Sequence, residues 1–461
     1  MKSYNTTNLS IFFTPLCIVW LIFSSCKKFV EVPLPVNQPA TATIFSDDQT
    51  ATSAINGLYS SMMIQNLSVM NAGLTLYPAL SADELLNTSP DAGISAFTNN
   101  ALNGSNAIAD ASFWKKTYNL IYHANAILKG LDNSSALSES TKNQLTGEAK
   151  FVRAFCYFYL INLFGDVPYI TGTDYEVNAV IPRTGTVEVY DKIVTDLLAA
   201  KELMNSDYPS PEKLRPNKWV AAALLARIYL YENNWAEAEA ASTEVITAGN
   251  YNLPDLNAVF LANSDEAIWQ LLPVLTYLNT ADGFTFIPYS ATVMPPYIIT
   301  DWLLNAFENN DQRKVSWLKS NTVNGQLYYH PFKYKVRSGI EVKEYNMVLR
   351  LAEQYLIRAE ARTQLNNISG AQADINILRT RAGLPNTTAG TELLLLQAVE
   401  HERQIEFFAE WGHRWFDLNR TKRSDTILGS KKPGWQPTDA LYPIPVSEIQ
   451  ANTQLTQNPG Y

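Results

Sequence analysis

The densest group of ionisable side chains lies between Glu402 and Arg420, where Glu402, Glu406, Glu410 and Asp417 alternate with Arg403, His413, Arg414 and Arg420. Two carboxylates flanking a sugar bond are the basic equipment of glycoside hydrolysis, so catalysis is sought here first. The spacing favours another use. Glu410 and Arg414 are one helical turn apart, as are Asp417 and Arg420 to within a residue, and Phe407, Phe408, Trp411, Trp415 and Phe416 stand among them. Opposite charges at that spacing, backed by aromatic rings, form ion pairs on an amphipathic helix. The segment is expected to be structural, and no catalytic residue is assigned. A helical glycoside hydrolase working through carboxylates near Glu406 and Glu410 is the enzymatic alternative.

Other chemistry finds little support. His123, His330, His401 and His413 never fall at metal-ligand spacing, so no metal site is expected. There is no glycine-rich phosphate loop and no serine in a nucleophile elbow, and no cofactor is called for. Cys156 sits in the run Phe155, Cys156, Tyr157, Phe158 and reads as a small buried hydrophobe. The net charge of −9, with no long run of one sign, argues against a nucleic-acid partner. A neutral ligand suits it better.

The first residues point to export. A polar start is followed by an apolar run from Ile11 to Phe23, interrupted by Thr14 and Pro15, and then by Ser24, Ser25 and Cys26. A spanning helix needs about 20 apolar residues, so residues 1–25 are expected to be a signal peptide. Small residues directly before a cysteine suit a lipoprotein signal peptidase, which makes Cys26 the expected lipidation site. Acyl chains contribute about 0.8 kcal/mol per buried CH₂, and several on one cysteine anchor a protein stably. Residues 26–45, with Pro33, Pro35 and Pro39, read as an extended tether.

From residue 46 onward the chain is expected to be a single, mainly α domain. Ser46 and Gln49 have the spacing of a capping box, and Ala51, Ile55, Leu58, Tyr59 and Met62 follow on one helical face. Trp114, Tyr118, Ile121, Asn125 and Leu128 line a second helix. Ala226, Tyr229, Trp235 and Ala238 occupy the small and aromatic positions of a tetratricopeptide helix pair, with Asn233 and Asn234 at the turn. The pattern recurs with Ala352, Tyr355, Leu356, Ala359 and Ala371 around Asn366 and Asn367. A third helix of this type starts near Ala154 and Tyr157, with its partner expected after Thr186. Long insertions, at about 78–112 and 251–345, interrupt the pairs, and loops on a rigid scaffold are where binding usually sits.

Taken in order, several stretches resemble the SusD/RagB family of outer-membrane nutrient-binding lipoproteins. They are GEAKFVRAFCYFYLINLFGDVPY from Gly147, VLRLAEQYLIRAEA from Val348, INILRTRAGL from Ile375, ERQIEFFAEWGHRWFDLNR from Glu402, then LYPIPVSEI and the terminal QNPGY. The resemblance implies a tetratricopeptide-like helical scaffold of SusD type with loop insertions, tethered by lipid to the outer membrane and facing outward. It implies a non-catalytic lid over a SusC-type TonB-dependent barrel that captures an oligosaccharide, a polysaccharide or another nutrient. It also implies a ligand platform built from two loop regions. Here those regions offer Asp83, Phe97, Asn99 and Asn100, and then Phe284, Tyr289 and Tyr297. Flat aromatics would bury the C–H faces of a sugar ring while polar groups bond its hydroxyl rim. The other alternative is a membrane assembly scaffold that binds no nutrient.

Overall fold

Small residues at the seams let three pairs of helices approach closely, and these pairs form the frame of the molecule. The computed structural model describes residues 41–461. The expected signal peptide, Cys26 and all but the last residues of the expected tether lie outside the described residues. Thr41–Ile44, before the expected start of the domain at residue 46, is one helical turn, and Phe45 is buried. Helix α1, Asp48–Met63, is capped by Asp47, whose carboxylate accepts the Thr50 N–H at 2.8 Å. Ser46 was the expected cap, but its hydroxyl turns back to the Thr43 carbonyl, and the carboxylate one residue nearer the helix takes the role.

The first insertion holds α2 (Gly73–Ser81), β1 (Leu85–Asn87) and α3 (Ala92–Thr98). A π-helical turn, Ala109–Lys115, then leads into α4, Lys116–Asn133. The first pair is α5 (Glu139–Phe164) with α6 (Thr186–Leu203), the partner helix starting at the expected Thr186. Phe155, Cys156, Tyr157 and Phe158 are all buried, and each such aromatic contributes about 1.5–3 kcal/mol. Next come α7 (Lys218–Tyr231) and α8 (Trp235–Thr247), joined by Asn233 in the left-handed conformation that Asn tolerates.

The second insertion carries β2 (Ala267–Leu271), β3 (Tyr297–Ile299), α9 (Asp301–Ala306), β4 (Leu318–Val323) and β5 (Gln326–Pro331). It closes with β6, Asn346–Arg350, antiparallel to β2. The third pair follows, α10 (Leu351–Gln364) with α11 (Ile368–Arg381), and Asn366 again makes the left-handed turn. Ala359 and Ala371 meet in one cluster with Ile375, Leu395 and Val399, the last two supplied by α12, Glu392–Glu406. The short α13, His413–Arg420, completes the charged segment.

Gly73 opens α2 where a β-carbon would overlap the Ser68 backbone carbonyl, and backbone cannot rotate aside as a side chain can. Gly73→Ala is therefore expected to cost about 1–3 kcal/mol in denaturant unfolding. An unchanged midpoint would show that this turn yields freely.

Candidate functional site

The two insertions meet in a two-stranded sheet. β1 pairs antiparallel with β3, setting Leu85 opposite Ile299, Leu86 opposite Ile298 and Asn87 opposite Tyr297. Side chains reinforce the join. The Thr300 hydroxyl donates to the Asp83 carbonyl at 2.6 Å, and the Thr88 hydroxyl donates to the Pro295 carbonyl at 2.7 Å. Residues more than two hundred positions apart thus form one face.

Of the residues nominated from the sequence, three turn inward. Asp83 is fully buried between Arg414, which donates to its two oxygens at 2.8 and 3.0 Å, and Lys431. Burial alone would push its carboxyl up, but these two cations outweigh it and hold the group well below the usual carboxylate range. Phe97 is fully buried against Tyr77 and Tyr442, with ring centroids 4.7 and 5.5 Å away. Tyr297 is buried on β3 beside Phe286. These three positions fasten the loops. Their types suited a sugar platform, but an ion pair and an aromatic cluster satisfy them internally.

The others divide. Asn100 is buried in the left-handed conformation, and its amide donates to the Ser81 carbonyl at 3.1 Å. Asn99 is exposed at the end of α3. Phe284 is half-buried, with the Arg337 guanidinium 4.4 Å above its ring. Tyr289 is 77% exposed in the turn whose carbonyls, from Ser290 and Val293, accept the Asn321 amide at 2.8 and 2.6 Å.

Sequence reasoning missed Trp302. Thr300 caps α9 and Leu303 and Phe307 pack inward, so Trp302 faces out and is 40% exposed. Lys431 lies 5.6 Å from its ring centroid and, through Asp83, links this indole to the buried anchor of the first insertion. An outward-facing Trp one residue before an inward Leu on a capped helix was the available signal. Asn99, Phe284, Tyr289 and Trp302 each keep part or most of the side chain at the surface.

The carboxylates between Glu402 and Asp417 do form ion pairs. Glu406 is fully buried, and Arg313, Arg350 and Arg381 all reach it. Burial opposes its ionisation, yet the three guanidiniums hold it well below the ordinary glutamate range. Glu410 is shared by Arg350, at 2.9 and 3.0 Å, and Lys333. Asp417 joins Arg403, at 2.7 Å, to Arg420, at 2.8 Å. Glu406 and Glu410, the carboxylates of the enzymatic alternative, are thus committed to buried cations. Among the described residues, no group of three His, Cys, Asp or Glu is placed to hold a metal ion.

Glu84 is unusual. It is buried beside Asp83, one of its oxygens has no partner, and burial with that neighbouring charge pushes its pKa up to about 8 from 4.5. The folded state therefore binds this proton more tightly than the unfolded state does. Its contribution to stability is present below about pH 4.5 and is lost as pH rises through about 8. Glu84→Gln should match the parent protein near pH 5 and exceed it near pH 9, by on the order of 2–4 kcal/mol. Denaturation curves at both pH values check this; equal differences would mean that Glu84 is ionised throughout.

Two family models match the chain. One, described as starch-binding associating with outer membrane, covers residues 41–230, and one described as the SusD family covers residues 303–461. The chain belongs to the SusD/RagB family. SusD-like protein P25 of Formosa agariphila is 27% identical to this SusD-family chain, over 96% of it and 98% of the relative. A SusD superfamily protein of Bacteroides vulgatus superposes with a TM-score of 0.79 at 20% identity, covering 90% of this chain and all of the other. A laminarin-binding SusD-like protein gives 0.75 at 24% identity, again over 90% and 100%. The helical, tetratricopeptide-like SusD fold is thus shared throughout. The family is associated with the outer membrane, and its carbohydrate-binding members are generally non-catalytic.

Proposed function

We propose that this SusD-family protein is a glycan-binding lipoprotein of the outer membrane that captures saccharides for uptake and does no chemistry on them. The observation that carries the reading is the pairing of the two insertions through β1 and β3, with Tyr289 and Trp302 of the second insertion and Asn99 of the first turned to solvent. Rings of this kind bury the faces of a pyranose, and amides bond its rim. Relatives described as laminarin-binding and starch-binding support the ligand class. Lipid on Cys26 would hold the body at the membrane, facing outward, as lid of a SusC-type TonB-dependent barrel that receives the cargo. That partnership rests on family membership. The buried, fully paired state of Glu406 and Glu410 supports binding without hydrolysis.

Calorimetry of the mature protein against laminarin, starch, mannan and xylan oligosaccharides tests the proposal. Binding of at least one glycan is expected, with no release of new reducing ends. A well-folded protein that bound none of them, or that shortened any, would refute it.

A further inference from the structure

A cleft of about 290 Å³ opens between α4, the stretch 168–179 and the short helix Val446–Ala451, whose Val446 N–H donates to the Gly104 carbonyl of the first insertion at 2.8 Å. Trp114, only 2% exposed, lines it, and Tyr118 lies 5.1 Å from Trp114 between ring centroids. Trp114 belongs to the π-helical turn that precedes α4, and such wide turns are rare and gather at functional sites. Its indole N–H has no acceptor among the described residues. Tyr122 and Tyr175, at 47% and 77% exposure, stand on the walls.

Polar groups line a smaller part of the cleft than the rings do. The Tyr118 hydroxyl is already committed to the Pro168 carbonyl, at 2.8 Å. Asn178 spends its amide N–H on the Gly172 carbonyl at 3.2 Å, which leaves its oxygen free to accept. Among the described residues, the Glu448 carboxylate meets Lys115, at 3.6 Å. Flat rings on the floor and walls, with both donors and acceptors around them, match a polyhydroxylated ring better than a purely apolar or a strongly charged ligand. The volume, near the lower end for small-molecule sites, suits a short saccharide unit.

We propose that this cleft is a second saccharide subsite, separate from the insertion face and sharing no residue with it. Two sites on one rigid frame would let a single polymer chain engage twice, raising its apparent affinity above that of either site.

Hydrogen–deuterium exchange on the full mature protein, with and without laminarin, starch, mannan and xylan oligosaccharides, tests both sites at once. The expected result is protection of residues 114–122 and 170–179 as well as of the insertion face. Tyr122→Ala combined with Tyr175→Ala should weaken binding at the cleft about tenfold and leave protection of the insertion face intact. Both tyrosines are exposed enough for the variant to fold, and its unfolding midpoint confirms that. Protection of the insertion face alone overturns the second subsite and spares the proposed function. Protection of the cleft alone supports the subsite and overturns the insertion face as the binding surface, and protection of neither overturns both.

Discussion

Replacing Arg350 with methionine should destabilise this protein by at least about 3–5 kcal/mol, enough to reduce sharply the yield of folded material. The reason lies in how much charge one guanidinium neutralises. Arg350 closes β6, where its Nη1 donates to Glu266 at 2.7 Å and to Glu406 at 2.6 Å, while Nε and Nη2 serve Glu410. All three glutamates are buried. Arg381 also pairs with Glu266 and Glu406, and Lys333 with Glu410, but these cations cannot cover the sites Arg350 would vacate. Removing one member of such a network leaves buried charge without compensation, which costs more than the network contributes over an apolar core. Urea denaturation of Arg350→Met beside Arg423→Met, whose side chain is 40% exposed and pairs with Glu400, makes the comparison. Similar midpoints for the two would show that the network relaxes without penalty. The same carboxylates set an acid limit: Glu406, depressed by its arginines, lends stability above about pH 4.5 that disappears as pH falls below that value.

The second large effect concerns binding. Trp302→Ala with Tyr289→Ala should reduce affinity for whichever glycan the protein binds by tenfold or more, while stability changes by no more than about 1 kcal/mol. Tyr289 is 77% exposed and contributes little to the core. Trp302 packs only partly, and its contact with Lys431 is worth about 0.5–1 kcal/mol. A ring that stacks on a sugar loses that contact completely on truncation, so affinity should drop far more than stability. Calorimetry of the double variant beside the parent decides it. Undiminished affinity would place the sugar elsewhere on the molecule.

Much of the frame was readable along the chain because helices announce themselves over short distances. The Ala and aromatic spacing around Asn233 and Asn366 located two helix pairs, and Thr186 began the partner of the third. Of the two ion pairs expected from turn-by-turn spacing, Asp417–Arg420 forms but Glu410–Arg414 does not, because Glu410 lies between α12 and α13 and meets Arg350 and Lys333 while Arg414 turns to Asp83 and Glu400. Arg313 and Arg350 complete Glu406, and Asp83 takes up Arg414. Two local expectations shifted by small amounts. The cap of α1 is Asp47 in place of Ser46, and Trp114 lies in a π-helical turn just before α4, its ring still 5.1 Å from that of Tyr118.

The candidate site was legible as two regions and poorly legible as residues. Composition alone separated the insertions from the helical frame, since Asn, Ser, Gly, Pro and aromatic residues without a helical period cannot bury a regular face. Which of those side chains would face solvent depended on partners hundreds of residues away. Asp83 is hidden because Arg414 and Lys431 come to meet it, Phe97 because Tyr442 does, and Tyr297 because β3 lays it beside the first insertion. Trp302 stays outside because Leu303 and Phe307 claim the inward face of α9. Short-range spacing dictates helices and their pairing, because both are satisfied within a few turns of chain. The exposure of a loop side chain is decided by long-range packing and charge pairing, and these exist only once the whole frame has closed.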